Sequence, residues 1–448
     1  TMAAPPPSPL PDPAVLMDEL VEEFLLRLPP EDPALLARAT LVSRQWYRVV
    51  TDPSFRRRFR EFHRSTPLLG YILNLADSIR FVPMSSFRPP HTHRGGVRAV
   101  SSSHGRVLLH RSAGENLYAL RSTGKDPDVL LSVWDPITDE QQDLPVVPLR
   151  PSLCFGMSNW DAVLICTNGD GCNHLHCHFK VIFVGKRLRT FSCFYSSEAD
   201  SWSDPVFASE GIIGAFIPGN CVLIESTLYG KSAASYDIFK YDMLPNQMCN
   251  IRIILGPGVR LDDCMLIATE DGGLGVAKAS NSTLVVWVRE HGRWEESRTI
   301  DLQALLPLDA LPDPLLPYEV RPWLTGFAET GAGVIFLWTR VGYFTIDLKS
   351  GSCQKVGEDL VSARVVPYVS FCTPAPGAVS TDDRLETGVA ISTYEVPVAD
   401  IAVSTDEGPG AGVAASANEG PGTAGRLCPA KNAYTCSNEL ACLKAQKY

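Results

Sequence analysis

The residues with the plainest chemical potential lie in the run GCNHLHCHF, where Cys172, His174, His176 and His178 recur at every second position. On a strand that spacing places them on one face, and thiolate and imidazole are good zinc ligands. The same alternation gives Leu175, Cys177, Phe179 and Val181 to the opposite, buried face. No second Cys-x-x-Cys or His pair at matching spacing completes a structural site, so no metal is expected. His91 and His93, in a loop rich in Pro and Arg, make a weaker pair. YGKS at Tyr229–Ser232 has the ending of a phosphate-binding loop. Such a loop needs glycine five residues before Gly230, and the chain has Glu225 there, whose charge repels phosphate. A turn between strands is the expectation for YGKS. The same holds for GPG at 256–258 and DGGLG at 271–275, which lack the strand-to-helix setting of a nucleotide fingerprint. There is no Gly-x-Ser-x-Gly elbow, and no Ser/His/Asp set assembles from spacing. Neither a catalytic residue nor a cofactor is expected.

One basic stretch remains. FRRRFREFHR, Phe55–Arg64, carries five arginines against one glutamate. As a helix it turns Phe55, Phe59 and Phe62 inward at i, i+4 and i+7 and gives the arginines to water, a reading preferred to a nucleic-acid surface. The whole chain has a net charge of −10, from 40 Lys+Arg against 50 Asp+Glu, which argues against general affinity for nucleic acid or anionic membrane. No apolar run reaches the roughly 18–20 residues of a membrane span. The start, TMAAPPPSPLPDP, lacks the basic-then-apolar order of a secretory signal. Thirteen cysteines, mostly single within apolar stretches, read as reduced and buried, which predicts a cytoplasmic or nuclear setting.

Around these residues the chain changes character three times. Residues 1–14 carry six prolines and read as an extended, disordered lead. Residues 15–62 then show helical spacing. Asp18 can cap a first helix with Leu20, Val21, Phe24, Leu25 and Leu28 on one face, ended by Pro29-Pro30. Asp32-Pro33 starts a second, carrying Leu35, Leu36, Ala39, Val42, Trp46, Val49 and Val50, and Asp52-Pro53 starts a third. A three-helix module of this size is marginal alone, so its long aliphatic face with Trp46 predicts completion by a partner. Packing on the body of its own chain is the alternative.

The module resembles an F-box, whose pattern is met by Leu16-Met17, DELVEEFLLRLPP, ARATLVSRQW and TDPSF. Three positions depart from it: Met17 replaces a usual Pro, Ser43 a usual Cys and Gln45 a usual basic residue. The resemblance implies docking on a Skp-type adaptor and, through it, a cullin ubiquitin ligase. Leu20, Val21, Phe24, Leu28, Pro29, Leu36, Val42 and Trp46 are the residues expected to face that adaptor.

From 66 to 374 the grammar is that of strands broken by Gly, Pro, Asn and Asp. A strand–turn–strand unit recurs, and the residues opening its turns are Asp135, Ser196, Asp242, Val288 and Asp347, at intervals of 61, 46, 46 and 59 residues. Four-stranded propeller blades have periods of roughly 40–50 residues, so six or seven blades are expected, in a kelch-like propeller. The strands PLLGYILN and VVPYVSFCTP, at the two ends of the region, can share one blade and close the ring. This region also resembles the associated domain of a large grass family of F-box proteins, through HGRVLL, WDPIT, YSSE, EDGGLGVA and TIDLKSG. Residues 375–448, with nine acidic and five basic residues among Ala, Gly, Ser and Thr, read as a disordered tail.

The fold class expected is thus α plus all-β, with a small helical module before a β-propeller. The function implied is that of a non-catalytic substrate receptor that holds an unknown target protein on the propeller. A propeller that binds a small ligand or acts as an enzyme, its helices merely packing, is the alternative. Acidic and histidine side chains clustered at the channel mouth would mark that alternative, and no such set recurs from blade to blade. A scaffold that has lost its adaptor is a third reading.

Overall fold

The computed structural model of the chain describes residues 13–111, 128–150, 153–154, 157–167, 177–208, 216–232, 237–244, 247–256, 259–312, 321–329, 333–359, 361 and 363–373. Residues 1–12 of the expected lead, the tail from 375 and the candidate ligands Cys172, His174 and His176 lie outside these residues, whereas residues 13–14, also read as part of the extended lead, belong to the first helix.

Four helices open the chain: α1 (Pro13–Leu26), α2 (Pro33–Ala39), α3 (Arg44–Thr51) and α4 (Pro53–His63). The second helix of the sequence reading is two, because Ser43 starts α3 afresh, its hydroxyl accepting from the Trp46 amide at 3.1 Å. Asp18 lies inside α1 rather than at its cap, and its carboxylate accepts from Gln45 Nε2. Two of the three departures from the family pattern therefore serve the module internally. Asp52 does cap α4, accepting from the Ser54 amide at 2.7 Å. Leu25, Leu26, Leu36, Ala39, Val50, Phe55 and Phe59 form the module's core. Phe62 does not join it and is 51% exposed. The inward stripe of α4 runs Phe55, Phe59, His63 instead, and the Phe59 and His63 rings stand 4.5 Å apart.

Six antiparallel blade sheets follow, five of four strands and one of five. Blade I holds β1 (Leu68–Asn74), β2 (Ser78–Pro83) and β3 (His93–Gly95). Blade II is β4 (Val97–Ser103), β5 (Arg106–Arg111), β6 (Leu131–Trp134) and β7 (Gln141–Asp143), with a small hairpin after it, β8 (Leu153–Cys154) and β9 (Met157–Ser158). Blade III is β10 (Trp160–Cys166), β11 (Phe179–Lys186), β12 (Thr190–Ser196) and β13 (Ser201–Trp202), with β14 (Val206–Phe207) also on β12. Blade IV is β15 (Phe216–Ile224), β16 (Thr227–Ser232), β17 (Asp237–Asp242) and β18 (Gln247–Arg252). Blade V is β19 (Cys264–Ala268), β20 (Leu274–Ala279), β21 (Thr283–Glu290) and β22 (Arg293–Asp301). A one-turn helix, α5 (Leu302–Leu305), leads to blade VI: β23 (Trp323–Ala328), β24 (Val334–Thr339), β25 (Gly342–Asp347) and β26 (Cys353–Gly357). The last strand, β27 (Val365–Val369), returns to blade I and pairs with β1, Leu68 opposite Val369 and Leu73 opposite Val365. The inner strands β27, β4, β10, β15, β19 and β23 neighbour one another in that order around a closed ring. The fold is a six-bladed β-propeller behind a helical module.

Each junction between blades has its own apolar core, because successive side chains of a strand face opposite neighbours. On β5, Val107 and Leu109 enter the core shared with blade I, while Leu108 enters the one shared with blade III. On β25, Tyr343 faces blade I, while Phe344 and Ile346 face blade V. Strands buried on both faces read as near-continuous apolar runs, which is why RVLL and GYFTI look as they do.

The five repeated turns all fall between the third and outer strands of blades II to VI. Asp135 and Asp347 build the same turn: each carboxylate accepts from amides two and three residues on, and each carbonyl accepts from the amide four on. Val288 is misplaced, since it lies within β21 opposite Glu295, and the blade V turn is His291-Gly292. That hairpin is longer than its counterparts, so the alignment slips. YGKS is not a turn either, since it lies in β16, where Gly230 admits the Phe239 ring to a place a Cβ would occupy.

Blades I and II are joined near the helical module through Asp139, which accepts from Trp134 Nε1 at 3.0 Å, His91 Nδ1 at 2.6 Å and the Arg94 guanidinium. Arg94 also stacks over Trp134 at 4.4 Å. Burial would raise the Asp139 carboxyl, but these donors outweigh it and hold it below the ordinary carboxylate range. A folded-state pKa below the unfolded one gives stability that is complete above about 3.9 and lost as pH falls through the folded value. In Asp139→Asn that acid-side loss should flatten, read as a smaller drop in melting temperature between pH 5 and pH 3.

Candidate docking surface on the helical module

The helical module rests on blade I through two contacts that its own sequence does not announce. Phe371, two residues beyond β27, is buried in the module's core, with its ring edge-on to Phe59 at 6.2 Å. Ser86, in the β2–β3 connection, accepts from the Ala34 amide at 3.2 Å and donates to the Asp32 carboxylate. Asp32 thus stands at the N-cap position of α2 without capping it, and a propeller hydroxyl does so in its place. One wall of the module is therefore taken up by its own chain.

The opposite wall is not. Leu20 and Phe24, one turn apart on α1, are 71% and 55% exposed, and Leu41 and Val42 in the α2–α3 turn are 59% and 63% exposed. Trp46 joins them from α3, half-buried, its ring 5.8 Å from that of Phe24. Of the residues expected at this face, Leu20, Phe24, Val42 and Pro29 are open to water, and Val21, Leu28 and Trp46 are partly so. Leu36 is a correction: at 1% exposed it belongs to the core, because Pro33, Leu36 and Ala39 form the inward side of α2. Leu41 was missed. It lies in a turn, where helical periodicity gives no signal. Arg27 with Glu23 and Arg58 with Glu22 flank the strip with ion pairs.

Among the described residues of the propeller no comparable chemical site appears. Among the described residues no three His, Cys, Asp or Glu side chains gather as a metal cluster. At the end of GCNHLHCHF, Cys177 and Phe179 are buried and His178 is exposed, as the alternation requires. No helix of the described residues is long and apolar enough to cross a membrane.

Among the described residues the ring holds a buried charge pair. Asp161, on inner strand β10, is 1% exposed, and its carboxylate accepts from the amides of Gly219, Cys221 (3.0 Å) and Ala162 (2.8 Å). Arg364, just before β27, is its counter-charge. Gly219, at φ 79°, is required there, since a Cβ would overlap the Arg364 guanidinium. Burial pushes the Asp161 carboxyl up and the Arg364 guanidinium down, and each charge opposes the other's shift.

Comparison with known proteins bears on the two parts differently. No curated protein matches the chain. Among solved structures, the periplasmic gluconolactonase of Pseudomonas aeruginosa is 12% identical, with 66% of this chain and 82% of that one covered at a TM-score of 0.36. A chain of a nidogen/laminin complex is 9% identical over 67% and 98%, at 0.38. A functionally unknown protein of Desulfotomaculum acetoxidans is 11% identical over 67% and 99%, also at 0.38. At such scores the likeness bears on neither activity nor partner. The helical module is different: residues 16–58 match the F-box domain family. The chain therefore carries an F-box domain at residues 16–58, set before a six-bladed β-propeller.

Proposed function

We propose that this chain is the substrate-receptor subunit of a cullin-based ubiquitin ligase of the plant type, its F-box docking on a Skp-type adaptor while the propeller presents a target protein. The observation that carries the reading is the apolar strip of Leu20, Phe24 and Val42 beside Trp46. Large side chains left in water cost solubility and add nothing to the module's own core, whereas a partner that covers them gains their burial. The chain itself transfers no ubiquitin in this reading. It supplies a rigid body between ligase and target, working in cytoplasm or nucleus.

Co-expression with a Skp-type adaptor tests it. Phe24→Asp should weaken co-purification at least thirty-fold, since truncating an anchor in a desolvated patch costs about 2 kcal/mol or more. Trp46→Ala should do the same, but Trp46 also touches the core, so Phe24→Asp is the cleaner variant. Its melting should match the parent. Adaptor binding that survives both changes, or a parent chain that binds no adaptor, sinks the proposal.

A further inference from the structure

The F-box precedes the propeller in the chain, yet its core is finished by a residue that follows the whole propeller. Phe371, 8% exposed, comes two residues after the closing strand β27 and shares a core with Leu36, Phe55 and Phe59. Only residues 64–67 join α4 to β1, and the segment after β27 holds them too: the Ser370 amide donates to the Pro67 carbonyl at 3.2 Å.

A second hold on the module also runs back to β27. Ser86 supplies the cap that α2 lacks, and α2 has only seven residues, too few to stand on its own hydrogen bonds. The loop that carries Ser86 is fixed by the residues on either side. The Ser85 hydroxyl donates to the Leu69 carbonyl at 3.0 Å, and Phe87, 3% exposed, stacks on the Tyr368 ring at 5.7 Å. Tyr368 belongs to β27. At the other end of α2, the amides of Leu41 and Val42 donate to the Arg38 and Ala39 carbonyls at 3.0 and 3.1 Å, forming the turn that presents both side chains to water. What starts α2 therefore also sets where part of the apolar strip stands.

We infer that closure of the ring licenses adaptor docking, the closing strand holding the F-box in its competent form through Phe371 and through Tyr368, Phe87 and Ser86. With β27 in place the module is complete and the strip is formed. With β27 away, Phe371 and the Ser86 cap are lost together, and a helical module of this size is marginal alone. Chain order gives the device its use. The helices are made first, but their last core residue arrives only after blade VI, so a chain with an unfinished propeller presents no finished docking surface. A receptor without its target-holding body then stays out of the ligase. The docking half of this inference rests on the receptor role proposed above; the dependence of the helices on β27 does not.

Deuterium exchange of the purified full chain, followed by mass spectrometry, compares the parent with Ser86→Ala, Phe371→Ala and the double variant, and each is titrated with a purified Skp-type adaptor. Neither residue lies on the exposed strip. The double variant should exchange residues 33–42 at least about tenfold faster and bind adaptor about tenfold more weakly, since affinity falls with the fraction of competent module. Each single change should act in the same direction and less, a lost cap opening a helix about threefold or more. Ser86→Thr and Phe371→Leu should recover most of both effects. Exchange across β17 and β20, in blades IV and V, should match the parent, which separates loosening of the module from unfolding of the ring. If Phe371→Ala disturbs those strands, Ser86→Ala, whose side chain is outside the ring's cores, decides. Unchanged exchange over 33–42 in the double variant, or faster exchange with undiminished adaptor affinity, would overturn the inference. A parent that binds no adaptor while the exchange shifts as stated would end the receptor role and the licensing with it, leaving only the dependence of the helices on β27.

Discussion

Asp161→Ala is expected to remove about 3–5 kcal/mol of stability, the cost of leaving one member of a buried ion pair uncompensated. Three losses coincide there. The amides of Gly219 and Cys221, on inner strand β15, lose their acceptor inside the ring, and unsatisfied buried donors cost about 1–3 kcal/mol each. Arg364 keeps its repulsion from Arg98 without the carboxylate that balances it. The link from blade III to blade IV and to the closing strand is cut in one step. Arg364→Ala alone should cost less, because Asp161 retains its three amide donors. The double variant should be more stable than the sum of the two singles predicts by at least about 1 kcal/mol, as contacting charges require. Urea midpoints at constant m-value measure all three. Strict additivity, or a loss under about 1 kcal/mol in Asp161→Ala, would show the pair to be incidental to the ring.

That pair marks the boundary of what a sequence discloses here. The helical module and the propeller were legible because each rests on local pattern: i, i+3, i+4 spacing in one, strand–turn–strand repetition in the other. Five of the six outer hairpins announced themselves, and blade I did not. Its third and outer strands are separated by the nine residues between Pro83 and His93, which hold Ser86 and Phe87 rather than a tight turn. The shared closing blade could be read because both ends of the region are apolar strands. The division of α2 from α3 was hidden, since a serine at position 43 looks like a weak family match until its hydroxyl is seen capping Trp46. At the candidate strip, periodicity picked Leu20 and Phe24, which are exposed, and Leu36, which is buried. An apolar stripe does not say which of its edges meets water. Ser86, Phe371, Asp161 and Arg364 carry no local pattern at all. Their partners lie tens to hundreds of residues away, and only the closed ring brings them together.

Ending the chain at Arg364 is expected to abolish cooperative folding of helices and ring together, while ending it at 373 should leave the melting transition in place. The seven residues from Val365 to Phe371 reach three of the seven apolar cores formed by the described residues. Val366 and Tyr368 enter the blade I–II core beside Trp134, Val365 enters the blade VI–I core beside Phe336, and Phe371 enters the F-box core beside Phe59. Four such side chains, at about 1.5–3 kcal/mol each, amount to roughly 6–12 kcal/mol. That is comparable to the whole stability of an ordinary domain, about 5–15 kcal/mol. The β1–β27 ladder is lost besides, together with the hydrogen bond from the Tyr368 hydroxyl to the Gly105 carbonyl at 3.0 Å, which ties blade I to blade II. β1 would then present a bare edge to the channel, a site for aggregation. Circular dichroism melts of the two truncated chains make the comparison. A synthetic peptide of residues 365–373, added to the shorter chain, should restore a transition whose midpoint rises with peptide concentration, because it binds only the folded ring. A chain ended at Arg364 that still melts cooperatively near the parent temperature would mean that the ring holds without its closing strand and that the F-box stands without Phe371.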